Sequence, residues 1–246
     1  MIGKLRFLNA NALKFLAAAL MVVDHVGLLF FPYNLVFRAI GRISMPLFAF
    51  AVSEGCRYTK NKIRHFALIA GLAVICQLVY YFFDGSLYMC ILVTFSLSIL
   101  TIYAMQYLKK TLFTKVRAYK RVLAAAIFIG AIVFTYLFCR TFTVDYGFWG
   151  CMLPVFAALF DFRGIDAPEW IKRTDVLPVR VLCLGMGLLI YCLQSVSFLP
   201  VWWAMLAVPI LLLYNGNKGK WKTKYFFYVF YPLHLVALEG IFMLLH

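Results

Sequence analysis

The sequence predicts an all-α fold, a polytopic transmembrane helical bundle of about nine spans with its N-terminus in the cytoplasm. Three observations carry that prediction. Of the 246 residues, 65% are hydrophobic and 13% charged, whereas water-soluble domains run near a quarter charged. Apolar runs of about 18 residues or more recur along the chain, each long enough to cross a hydrocarbon core. The basic residues fall in short gaps between those runs, as they do in loops retained on the cytoplasmic side. No segment reads as a soluble domain or a long linker, so residues 1–246 are expected to form a single transmembrane domain.

The expected spans cover residues 10–31, 35–55, 66–83, 87–108, 121–139, 146–162, 178–195, 197–214 and 225–246. Lys4 and Arg6 ahead of an apolar stretch resemble a secretory signal. Lys14 interrupts that stretch, however, and the apolar run continues through Asp24 and His25, so the first span is a retained helix. Very short connections make several neighbouring spans antiparallel partners. The segment "DFRGIDAPEWIKRTDVLPVR" is polar, holds Pro168 and Pro178, and reads as a cytoplasmic loop, either a plain connector, the reading favoured, or one with a short interfacial helix around Trp170.

Orientation follows from charge. Of the 24 lysines and arginines, 21 lie on the side of the N-terminus, leaving Arg38, Arg42 and Arg140 on the other. That bias places the N-terminus inside and, with nine spans, His246 outside. It also accounts for the net charge of +15 without a nucleic-acid partner. The lipid bilayer is the expected surrounding and the cell (cytoplasmic) membrane the expected location. The seven cysteines show no paired spacing and fall mostly inside apolar runs, so they read as small buried hydrophobes; no metal is expected.

Polar groups at membrane depth are the candidates for function. With a rise of about 1.5 Å per residue, Asp24 and His25 sit about 20 Å above the inner edge, Arg42 about 18 Å and Arg38 about 24 Å. Asp24 is thus expected to pair with Arg42 across the hairpin of the first two spans, leaving His25 free. In the last span His234 falls at about 14 Å and Glu239 at about 21 Å on the same scale, so Glu239 is expected level with His25, and His234 too low to meet Asp24 unless Pro232 bends the helix. Glu54, at the inner end of the second span, is expected to reach interfacial water. A mid-membrane histidine with a nearby acid suits two chemistries: a proton relay for transport, or acyl transfer with imidazole as base or acyl carrier. A third possibility is a non-catalytic partner in an assembly apparatus.

The stretches "LKFLAAALMVVDHVGLLFFP", "FRAIGRISMPLFAFAVSEGCRYT", "DYGFWGCMLPVFAALF" and "KYFFYVFYPLHL" together resemble the TraX family of polytopic membrane proteins over nearly the whole chain. The resemblance implies acetyl transfer from acetyl-CoA to an amino group, the family's namesake acting on the N-terminus of conjugative pilin. It is also similar to the wider class of membrane acyltransferases with a histidine on an early helix. Carried onto this chain, the resemblance marks Asp24, His25, Arg38, Gly41, Arg42, Pro46, Glu54, Gly55, Asp145, Tyr146, Gly147, Pro232 and His234. Leu78 and the Cys90–Ile91 pair depart from the family pattern, which expects a proline and an asparagine nearby. The resulting expectation is a catalytic group of His25, Asp24 and His234. Arg38, Arg42, Glu54, Tyr146, Tyr231 and Glu239 are expected to bind the substrates, with Arg38, Tyr231 or Asn34 as oxyanion donors. The partners are acetyl-CoA, its phosphates held by cytoplasmic lysines such as Lys60, Lys62 and Lys218 to Lys224, and a membrane-associated peptide or glycan acceptor.

Overall fold

A computed structural model describes residues 6–85, 87–195, 199–221 and 224–245. Among them the chain is helical, with two isolated β-bridge pairs. The helices are α1 (Ala10–Phe30), α2 (Leu35–Gly41), α3 (Ser44–Tyr58), α4 (Lys62–Asp84), α5 (Ile91–Phe113) and α6 (Ala118–Thr141). They are followed by α7 (Gly147–Ala157), α8 (Glu169–Lys172), α9 (Leu177–Gln194), a 3-10 stretch (Leu199–Leu206), α10 (Ala207–Leu212) and α11 (Lys224–Leu245).

Six segments are long and apolar enough to cross a membrane, α2 and α3 counting together as one, and three shorter apolar stretches lie at 147–157, 199–212 and 229–245. Every expected span therefore has a helical counterpart, and the chain is a multi-pass membrane protein. Three spans differ in detail. The second is broken near Arg42 into α2 and α3. The sixth ends at Ala157, five residues before the expected 162, where two cations take over its carbonyls as described below. The eighth begins as a 3-10 helix, whose rise of about 2.0 Å per residue lets few residues cover more depth than an α-helix does. His246 and Lys222 lie outside the described residues. The helix at Trp170, the less favoured reading, is present as α8, with the indole 72% exposed.

The chain divides into two compact units, one of residues 1–51 and 188–246 and the other of residues 52–187. In the first unit α1 packs on α2 and α11, and α2 packs on the 3-10 stretch. Gly27 and Gly41 permit the closest approach: a Cβ on Gly27 would overlap Phe37, and one on Gly41 would overlap Asp24. Small residues at a helix contact are how apolar helices gain packing where no water drives them together. Asn9 caps α1 by accepting from the Ala12 N–H at 2.9 Å.

The start of α1 is also tied to a distant stretch of chain. Leu8 N–H donates to the Leu213 carbonyl at 3.0 Å, Asn215 N–H to Leu8 at 2.8 Å and Ala10 N–H to Asn217 at 2.8 Å. Asn11 Nδ2 donates to the Trp221 carbonyl at 2.9 Å.

In the second unit α5 is the hub, packed by α4, α6 and α7. Its inner face carries small hydroxyl residues that bond to backbone. Ser98 Oγ donates to the Cys151 carbonyl at 2.7 Å, and Thr94 Oγ1 to that of Asp145 at 2.6 Å. These hold α7 and the turn before it against α5.

Candidate active site

In the first unit α1, α2 and α11 bring together four of the residues expected to act. Asp24 is buried, with its carbon atoms against Gly41. Its Oδ2 pairs with Arg38 Nη1 at 3.0 Å. The expected partner was Arg42; the ion pair found is with Arg38, one turn away. The depth estimate treated residues 35–55 as one straight helix. The break after Gly41 and the reach of a long arginine side chain outweigh an axial offset of a few ångströms. Asp24 Oδ1 is buried with no hydrogen-bond donor among the described residues. Arg42 is half-buried at the C-cap of α2, its backbone N–H bonded to Arg38 and Ile40 carbonyls.

His25 does not engage its neighbour Asp24. Its Nδ1 lies 2.8 Å from the Met21 carbonyl one turn back on α1. A carbonyl only accepts, so Nδ1 carries the proton, and in the neutral ring Nε2 keeps its lone pair. His234 repeats the arrangement on α11: Nδ1 lies 3.0 Å from the Phe230 carbonyl, and Nε2 is buried with no hydrogen-bond partner among the described residues.

The two rings meet edge to face, centroids 5.1 Å apart and planes at 82°. The rings meet despite the lower depth expected for His234, because α11 need not start level with the membrane edge or run along its normal. Phe230 stacks on His234 at 5.0 Å with an interplanar angle of 8°, and Tyr231 meets it at 5.5 Å. The surroundings of the pair are aromatic and apolar.

Glu239 is placed differently from the expectation. It lies on the exposed face of α11, five residues beyond His234, which turns it about 140° away from the buried stripe. Asn34, offered as an oxyanion donor, instead caps α2, its Oδ1 accepting from the Val36 N–H at 3.1 Å.

Glu54 and Tyr146 belong to the second unit. Glu54 is buried, 8% exposed, and pairs with Arg180 at 2.6 Å, so it is no interfacial residue reaching water. Tyr146 stands at φ 63°, a left-handed conformation rare for a residue with a Cβ, directly before α7. Beside it Asp145 Oδ1 accepts from Tyr88 Oη at 2.8 Å.

The second unit also holds a network that sequence reasoning missed. Arg57 Nη1 donates to both Asp161 and Asp175 at 2.6 Å each. Lys109 Nζ donates to the carbonyls of Ala158, Leu159 and Asp161 at 2.8, 2.8 and 3.1 Å. Arg180 Nε reaches the Ala157 carbonyl at 3.3 Å. Two cations therefore close the C-terminal end of α7, where helix carbonyls concentrate negative potential. The available signal was the placement of Asp161 and Asp175 at the two ends of a polar loop, which charge counting alone treats as a plain connector. Among the described residues no three His, Cys, Asp or Glu side chains converge as a metal site.

A multi-pass membrane protein with a histidine pair and an Asp–Arg ion pair, each partly buried, in one helical unit is the class these observations define. The chain belongs to the TraX family, whose profile, described as TraX protein, matches residues 9–242. It is also 24% identical over 243 residues to a protein of Dichelobacter nodosus named "Probable fimbrial assembly protein FimC, serogroup H1", a match covering 94% of each chain. No solved structure matches.

Proposed function

We propose that the protein is an acetyl-CoA-dependent N-acetyltransferase of the cytoplasmic membrane, acting on an amino group of an exported, membrane-associated acceptor. The observation that carries the proposal is the matched tautomer of the two histidines. Each ring spends Nδ1–H on its own helix and keeps the Nε2 lone pair, which is what a base or nucleophile needs. Two buried acceptor atoms, Asp24 Oδ1 and His234 Nε2, have no donor among the described residues. A substrate that arrives with N–H groups supplies donors where an unmet polar atom is otherwise costly.

In this mechanism His25 Nε2 removes a proton from the acceptor amine as its nitrogen attacks the thioester carbonyl. The new C–N bond forms, the C–S bond breaks, and the proton passes to the departing CoA sulfur directly or through His234. Arg38, fixed by Asp24, offers its remaining N–H groups to the oxygen that gains charge. The apolar walls formed by Phe230 and Tyr231 keep water from the thioester. CoA phosphates bind lysines of the cytoplasmic connection in the same unit as the histidines, Lys218 and Lys220. The printed name of the Dichelobacter relative supports a fimbrial or pilus subunit as the acceptor.

The purified protein in liposomes, given radiolabelled acetyl-CoA and a peptide with a free N-terminus, is expected to transfer label to the peptide. Absence of both transfer and acetyl-CoA binding would sink the proposal. The edge-to-face histidine pair also suits a proton relay. Proton flux across the same liposomes without acetyl-CoA would favour that second reading.

A further inference from the structure

The acyl-transfer mechanism uses none of the seven cysteines, yet two of them face each other in the second unit. Cys139 lies in the last turn of α6 and Cys151 in the second turn of α7, with Sγ atoms 3.8 Å apart. That is van der Waals contact, and closing it to the bond length of about 2.05 Å is a movement of less than 2 Å. Both cysteines stand within a few residues of the connection 142–146, which the charge bias puts on the outer side of the membrane, where disulfides form and persist. We propose that Cys139 and Cys151 form a disulfide there, closing a ring around the turn that carries Asp145 and Tyr146.

The two thiols differ in access. Cys139 is half-buried, whereas Cys151 is 0% exposed. Cys139 is therefore the entry point for an external disulfide oxidant. Its thiolate attacks the oxidant's disulfide, expels one external thiol and forms a mixed disulfide. Cys151 then attacks Cys139 Sγ and expels the second external thiol. Two protein thiols are oxidised, one external disulfide is reduced, and the two protons end on the released thiols.

Cys76 and Cys90 hydrogen-bond to each other as well, but they are 3% and 1% exposed. Neither can start the exchange, so that pair stays reduced. The ring closed at Cys139 and Cys151 contains the left-handed Tyr146 and the Met89–Val144 bridge partner Val144. A covalent closure there restrains a backbone conformation that costs free energy to hold.

The test counts thiols on the full chain in native membranes. Membranes are quenched in acid, dissolved in SDS and treated with a maleimide–polyethylene glycol reagent, with and without prior reduction. The wild-type chain is expected to gain two reagent masses only after reduction. Cys139→Ser and Cys151→Ser should each abolish that gain, and Cys76→Ser should keep it. Growth in a membrane-impermeant reductant should make the unreduced and reduced samples equal. A wild-type chain fully labelled without reduction overturns the proposal, as does a gain that survives in both Cys139→Ser and Cys151→Ser. The wild-type count is made on denatured protein, so it stands even if a variant fails to fold.

Discussion

The two units treat buried polarity in opposite ways. In the second, Arg57 is shared by two aspartates, Lys109 spends its ammonium on three carbonyls, and Glu54 meets Arg180. Every one of those charges is answered by another part of the same unit, which is what burial demands of a structural network. In the first unit Asp24 pairs with Arg38, while Asp24 Oδ1 and His234 Nε2 are buried with no hydrogen-bond partner among the described residues, as Arg57 Nε and Ser53 Oγ are in the second. The difference lies in charge: the ions of the second unit named above are paired with groups of that unit, whereas His25 and His234 face each other with no ionic partner among the described residues. On the proposed mechanism, those histidine nitrogens are held in reserve for a substrate.

The largest expected effect tests the reserve. His25→Ala should lower acetyl transfer by about 100-fold or more, the scale of a lost general base. The variant should still fold, since the half-buried His25 ring spends its one hydrogen bond within α1. Transfer kinetics alongside detergent-resistance melting check both halves, and a folded variant with near-normal transfer breaks the comparison.

Arg57→Met should show the opposite profile. Removing the shared cation leaves Asp161 and Asp175 facing each other, a loss of about 3 kcal/mol or more in stability. Transfer per folded molecule should stay near normal. If activity falls much further than folded protein does, the network takes part in the chemistry.

The Asp24–Arg38 pair lies between these cases. Asp24→Asn and Arg38→Gln should each destabilise, and the double variant should be less damaged than their sum by about 1–3 kcal/mol. A denaturation cycle measures this, and strict additivity would separate the two residues. Arg42→Gln combined with Asp24→Asn should recover less.

The smallest effect belongs to Lys172→Ala. Its partners Asp166 and Glu169 are largely exposed, and such pairs contribute little. No measurable change in stability or transfer is expected.

Much of this was legible in the sequence. Apolar runs marked all nine helical segments, and the quoted motifs led to the TraX family. Composition also singled out Asp24, His25, Arg38 and His234 as polar residues at depth. Their pairing was harder to read. A depth scale of fixed rise per residue assumes straight helices starting at one level, and it misjudged both the Asp24 partner and the height of His234. Glu54 looked interfacial because its partner, Arg180, lies 126 positions on and was counted among loop charges. A one-dimensional pattern records how often a side chain faces inward, and it carries no information on which distant residue meets it there.

The contacts between residues 8–11 and 213–221 have a consequence in time. A ribosome adding about 5–20 residues per second makes the second of those stretches roughly 10–40 s after the first. Through that interval α1 is in place while its anchor does not yet exist, and His25 waits for a histidine 209 positions further on. A nascent chain therefore lacks the histidine pair until α11 has been made. On the proposed mechanism, acetyl transfer waits for that late helix.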